Sequence, residues 1–146
     1  MTASRLACGC WRLNGAPEFR AAGKQAVVAA YETGYTLFDH ADIYGGGEAE
    51  KIFGEVLREV SGMRERILIV TKAGVRRGDD PPGSPYHFNL SGEHILRSCE
   101  GSLKRLGVET IDLFLLHRAD WLADPAEVAG AFSKIKQSGK AFGGLV

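Results

Sequence analysis

Apolar positions along the chain alternate between short continuous runs and stripes of helical period. The run LACGCWRL, residues 6–13, predicts a first strand. Asn14-Gly15 with Pro17 then predicts a turn into a helix over 18–34, where Ala26, Val27, Ala30 and Tyr31 fall at helical spacing and Gly34 stops the helix. YTLFDHADIY, residues 35–44, reads as a second strand and its exit loop. In the helix predicted next, over 48–60, Ile52, Phe53, Val56, Leu57 and Val60 form one apolar face. RILIVTK, 66–72, is almost wholly apolar after its arginine, as a strand covered on both faces should be. The segment 73–89 is rich in Gly, Pro and Asp, and the reading predicts no regular structure there. Ser91 is the expected N-cap, with Glu93 nearby, of a helix over 92–107. TIDLFLLH, 110–117, predicts a fourth strand, followed by a helix over 125–139 and a strand-like KAFGGLV over 140–146.

Strand followed by helix, about four and a half times, defines a parallel α/β architecture. Periodicity alone does not separate a β/α barrel from an open doubly wound sheet. An open dinucleotide-binding sheet calls for G-x-G-x-x-G after its first strand, and Gly9-Cys10-Trp11-Arg12-Leu13-Asn14 does not supply it. The barrel is therefore the better reading. At 146 residues the chain is expected to form one domain with its own core.

Charge narrows the partners. The 18 basic and 18 acidic residues cancel, and no basic run exceeds the Arg76-Arg77 pair, so neither a nucleic-acid nor a membrane-surface footprint is present. Cys8, Cys10 and Cys99 are an odd count at spacings that suit neither a disulfide framework nor a zinc site. No ligand set for any metal stands out. The opening MTASRLACGCWRLNG lacks the basic segment and apolar core of a signal peptide, and no apolar run approaches membrane-spanning length. A cytoplasmic protein acting on a small molecule is expected.

The chemistry-bearing residues gather at strand ends. Asp39 and Tyr44 leave the second strand, Lys72 ends the third and His117 ends the fourth; 33 residues separate Asp39 from Lys72 and 45 separate Lys72 from His117, each room for one helix plus loops. Barrels place reactive groups at these C-terminal ends. A tyrosine phenol ordinarily titrates near pH 10, too high for efficient proton exchange near neutrality. An ammonium about 4 Å away would favour the phenolate by roughly 4 kcal/mol at an effective dielectric near 20. Lys72 could supply that field, Asp39 could keep the lysine charged, and His117 could donate a hydrogen bond to a substrate oxygen. Each residue has a plainer reading when taken alone. A lone strand-end histidine is usually structural, and a lone lysine usually snorkels to solvent. His40 and Asp42 read as structural, hydrogen-bonding the exit loop, and Gly45-Gly46-Gly47 as a turn into the next helix, since no P-loop lysine follows. Cys8 and Cys10 read as inert, and Trp121 as either a pocket wall or loop packing.

FDHADIYG, IVTK and DLFLLHRAD resemble the aldo-keto reductases, a family of (β/α)8 barrels with an Asp, Tyr, Lys and His tetrad. Position by position, Asp39, Tyr44, Lys72 and His117 match that tetrad in order and context. GCWRL resembles the first-strand segment that touches nicotinamide and substrate. The resemblance thus implies cofactor contacts from Gly9, Cys10, Trp11 and Asp39, and substrate contacts from Trp11 and His117. It also implies a nicotinamide cofactor, NADPH in preference to NADH, and reduction of an aldehyde or ketone with Tyr44 as proton donor. In that family a barrel has eight strands, and its second half carries most contacts to the nicotinamide amide, pyrophosphate and adenosine phosphate. Residues 1–146 would then be the N-terminal portion of one barrel domain, a truncated reductase. The alternative expectation is a non-catalytic fragment, or a half-barrel that self-associates through exposed strand edges. Substrate identity is not encoded in the segments present.

Overall fold

The structure is a computed structural model and describes residues 2–13 and 16–145. Five parallel strands form its sheet: β1 (Cys8–Gly9), β2 (Leu37–Asp39), β3 (Leu68–Ala73), β6 (Ile111–Leu116) and β7 (Ala141–Leu145), in the order β1-β2-β3-β6-β7. The helices α1 (Pro17–Glu32), α2 (Glu48–Glu59), α3 (Gly92–Leu106) and α4 (Pro125–Gln137) make the crossovers. Strands that neighbour in sequence also neighbour in the sheet, as in a singly wound barrel wall.

Strand parity sets what faces what. Cross-strand partners share a face and successive residues alternate. Phe38 pairs with Ile69, and Thr71 with Phe114, and all four are fully buried. Phe38 stacks on Phe53 of α2, and Phe114 on Phe132 of α4, so this is the helix-covered face. Asp39, which pairs with Val70, and Lys72, which pairs with Leu115, therefore occupy the opposite, inner face. His117 follows two residues after Leu115 and stays in register through its N–H donating to the Ala73 carbonyl at 2.8 Å.

The helices form where the apolar periodicity predicts. Ala49, Ile52, Phe53 and Val56 of α2 are fully buried. The Ser91 hydroxyl accepts from the His94 N–H at 3.3 Å, and left-handed Gly107 closes α3, so the expected N-cap is in place. α2 approaches the end of α3 closely: a Cβ on Gly54 would meet the Leu106 carbonyl oxygen at 2.6 Å, which only glycine avoids.

Two expectations need correction. The predicted first strand over 6–13 shrinks to Cys8–Gly9, because the chain turns at once into a 3-10 segment over Cys10–Arg12. Segment 73–89 is not wholly irregular. Its ends zip into a short antiparallel pair of β4 (Val75–Arg76) and β5 (His87–Phe88), fastened at Val75↔Phe88 and Arg76↔His87. The second strand and its exit loop are where they were expected, the strand being Leu37–Asp39. The turn expected at Asn14-Gly15 and the final residue of the last strand lie outside the described residues.

Candidate active site

Lys72 is the hub of the inner face. Its Nζ donates to Asp39 Oδ1 at 2.6 Å and to the His40 carbonyl at 2.7 Å. The lysine side chain is 13% exposed and the aspartate 36%, so the pair stands at the border of protein and solvent. Of the ammonium's three protons, two have these acceptors. Its nitrogen also lies 5.5 Å from the Tyr44 ring centroid.

Tyr44 is delivered by the turn after β2. Asp42 N–H donates to the Lys72 carbonyl at 2.9 Å, which carries the ladder one step past the strand. Tyr44 N–H then donates to the Ala41 carbonyl at 3.1 Å. Gly45, Gly46 and Gly47 follow with φ of 61°, 68° and 92°, three left-handed residues in succession that turn the chain into α2. The Tyr44 ring meets His117 edge to face, 5.7 Å between centroids. His117 is pushed below its ordinary pKa by burial, then by Lys72 and Arg118. Its imidazole is thus neutral at pH 7, with one N–H to donate. Its Nδ1 is buried without a hydrogen-bond partner among the described residues. The sequence-predicted Asp39, Tyr44, Lys72 and His117 thus come together at one end of the inner face.

The remaining expected contacts divide. Trp11 is 64% exposed, with the Arg12 guanidinium 4.8 Å from its ring centroid. Together with Leu13 and Gly45 it lines an open cleft of about 310 Å³ beside the Tyr44 turn. Gly9 is exposed, and a Cβ there would meet open space. The Cys10 side chain is buried in the core, so any contact it makes to a ligand is through its backbone. Trp121 is fully exposed among the described residues, so neither a wall nor a packing role is formed there.

His40 departs from expectation. Its ring does not hydrogen-bond the exit loop: both nitrogens are buried without partners among the described residues, and the ring packs edge-on against Phe53 at 4.6 Å. Burial, and then Lys72, push its pKa down to about 3, so it is a neutral, purely packing histidine. Its contribution to the site is the main-chain carbonyl. Asp42 faces α3 instead of the inner face, with Ser98 as a hydrogen-bond neighbour; burial and nearby Glu50 push it up to about 6.

Two supports were not read from the sequence. Glu50 is fully buried, accepting from Thr71 Oγ1 at 2.6 Å and from Arg105 Nε at 2.7 Å. Its place three residues before Phe53 on the buried face of α2, and Thr71 inside an apolar strand, were the available signals. Arg77 donates to the Ile43 carbonyl at 2.6 Å, steadying the Tyr44 turn from outside, and no local pattern announces it. Among the described residues no group of three or more His, Cys, Asp or Glu could hold a metal ion, and no helix is long and apolar enough to cross a membrane.

A parallel sheet in this order, with polar groups at its strand ends, fits one wall of a β/α barrel, and the comparisons make the family specific. The family model for the aldo/keto reductase family matches residues 5–142, and the chain belongs to that family. It is 44% identical over 139 residues to the uncharacterized oxidoreductase YcsN of Bacillus subtilis, covering 94% of this chain and 46% of the relative. With a 6-dehydroglucose reductase of Agrobacterium fabrum it shares 38% over 140 residues, 94% of this chain and 47% of the relative. An aldo-keto reductase of Bacillus halodurans, solved in its holo form, superposes with a TM-score of 0.85 at 28% identity, over 99% of this chain and 46% of that one. The fold is therefore part of a (β/α)8 barrel. The chain spans about half the length of the curated relatives it matches.

Proposed function

We propose that this chain carries the proton-transfer machinery of an NADPH-dependent carbonyl reductase, as the N-terminal portion of one barrel domain. The observation that carries the reading is the convergence of Asp39, Lys72, Tyr44 and His117 on one end of the inner face, with Lys72 Nζ 2.6 Å from Asp39 Oδ1. Tyr44 gives its phenolic proton to the carbonyl oxygen of an aldehyde or ketone. Lys72 stabilises the phenolate that remains, and Asp39 holds the lysine charged and aimed. His117, neutral, donates its N–H to the same oxygen and orients it. The chemistry that bound NADPH supplies is a hydride for the carbonyl carbon. Gly9, Trp11, the Cys10 backbone and Asp39 would hold the nicotinamide end. The fit rests on the open space at Gly9, the exposed Trp11 and the half-open carboxylate. Trp11 and His117 would flank the substrate. One relative is named for 6-dehydroglucose and another for L-glyceraldehyde 3-phosphate, so sugar-derived aldehydes are the first substrates to assay.

The test joins this chain to the second half of a relative and follows aldehyde-dependent NADPH oxidation. Tyr44→Phe should lower kcat at least ~100-fold with little change in fold. Near-normal reduction by that variant would overturn the assignment. The 146 residues alone are expected to bind NADPH weakly and to reduce no aldehyde, which isothermal titration and the same assay would check. A second reading rests on β1 and β7 being the outer strands of the sheet, beside exposed Leu6 and Phe142. Self-association through these edges in the cytoplasm is then expected, and a single monomeric species by light scattering would refute it.

A further inference from the structure

A second cavity, of about 350 Å³, lies on the far side of the turn that carries Tyr44, between that turn, β4 with its following loop, and α3. Four of the chain's eleven arginines line it: Arg76, Arg77, Arg97 and Arg105. Two of them are already matched. Arg105 is held by buried Glu50, and Arg76 pairs with Asp80. The other two are not. Arg77 is exposed, donates only to the Ile43 carbonyl, and has no carboxylate partner among the described residues. Among the described residues Arg97 has only Glu93 at 3.6 Å, in a pair so exposed, 67% and 79%, that solvent screens it.

The positive charge of this cavity adds to the effect of burial on His94. His94, whose Nε2 lies 3.2 Å from the Ser98 hydroxyl, is pushed down to about 4, by burial first and then by Arg76 and Arg97. Asp42 also lines the cavity, and one of its carboxyl oxygens is buried without a hydrogen-bond partner among the described residues. Ser98 can donate to an incoming oxyanion, whereas Asp42 could do so only below its pKa of about 6.

We propose that this cavity binds a phosphate group, free or carried on a small organic molecule, between Arg77 and Arg97. Two planar guanidinium forks match phosphate oxygens in a way lysines would not. A volume of about 350 Å³ suits a compact ligand. The site is separate from the carbonyl site but linked to it, because Arg77 would hold both the ligand and the Ile43 carbonyl next to Tyr44. Occupancy would stiffen the catalytic turn. Binding at this site does not depend on the reductase reading, whereas its link to the carbonyl site rests on that reading.

The test is isothermal titration and 31P line broadening on the 146-residue chain, with inorganic phosphate, glycerol 3-phosphate and uncharged glycerol as probes. Saturable phosphate binding at ~1 mM or tighter is expected, with none for glycerol. Tighter binding of glycerol 3-phosphate than of phosphate would identify an organic phosphate as ligand; equal affinity would identify the free ion. The double variant Arg77→Ala with Arg97→Ala should weaken binding ~10-fold or more, and both side chains are exposed enough to be removed without unfolding the chain. Replacing both by lysine should weaken it less. Tyr44→Phe should leave it unchanged. Absence of saturation by ~20 mM, or equal binding by the double alanine variant, would overturn the proposal.

Discussion

Thr71 and Lys72 are adjacent in one strand and live in opposite worlds. Thr71 turns to the helices, where its hydroxyl and Arg105 satisfy a Glu50 that has no exposed surface. Lys72 turns to the barrel interior, where Asp39 meets it with a third of its side chain open. Both arrangements are an acid with a base at hydrogen-bond distance. The closed one is a strut joining α2, β3 and α3, with every oxygen of its acid engaged by a fixed donor. The open one leaves an ammonium proton and carboxylate surface free for a third party. The contrast teaches that exposure, more than the identity of the pair, separates a brace from a reactive group.

Removing the brace gives the largest expected effect. Glu50→Ala strands Arg105 and Thr71, and should cost about 3 kcal/mol of stability in chemical denaturation, whereas Asp39→Ala should cost under ~1 kcal/mol. Equal losses would erase the distinction. Next is the side proposed to be catalytic: the ~100-fold loss that reading expects for Tyr44→Phe corresponds to about 2.7 kcal/mol of transition-state stabilisation, with the midpoint of unfolding unmoved. Glu50→Gln, which keeps shape, should disturb activity far less than Tyr44→Phe.

A smaller effect comes from Asp42, which lies on the brace side without being fully closed. Its folded pKa of about 6 is above its ordinary value, so the unfolded chain binds fewer protons. Whatever stability Asp42 contributes is present below about pH 4 and is lost as pH rises through 6. Asp42→Asn should therefore stabilise the protein at pH 8 relative to pH 4, by at most ~2 kcal/mol after allowance for partial solvation. Paired thermal melts at the two pH values check this. His40 has the opposite sign: with a folded pKa of about 3, its contribution is present above its ordinary pKa of 6.5 and fades as pH falls toward 3. His40→Leu should flatten the acid side of the stability profile, the least of these effects near neutrality.

The inner-face site was legible because its residues are polar groups that end apolar runs, and parity then aims them. Asp39, Lys72 and His117 need no tertiary knowledge beyond strand direction. The brace was not legible, since Glu50 looks like any helix acid until Arg105, 55 positions later, arrives beside it. His40 misled because sequence cannot tell a hydrogen-bonded histidine from one packed on a phenyl ring. The β4–β5 pair escaped because two-residue ladders leave no periodicity. β1 was overestimated because CGCWRL has strand-forming residues, whose preference loses to the 3-10 turn that buries Cys10.

The alternation along β3 would also penalise a misaligned sheet while the chain folds. If β3 paired with β2 one residue out of step, Lys72 would be driven among Phe53 and Ile52 and Thr71 would face the open end. An ammonium has no acceptor on the helix side, where Glu50 already serves Arg105, and desolvating it unpaired would cost several kcal/mol. The correct alignment meets no such obstacle. Lys72 would thus disfavour misaligned sheets by the same charge that the proposed chemistry uses, and a lysine-to-methionine change would be expected to relax that discrimination.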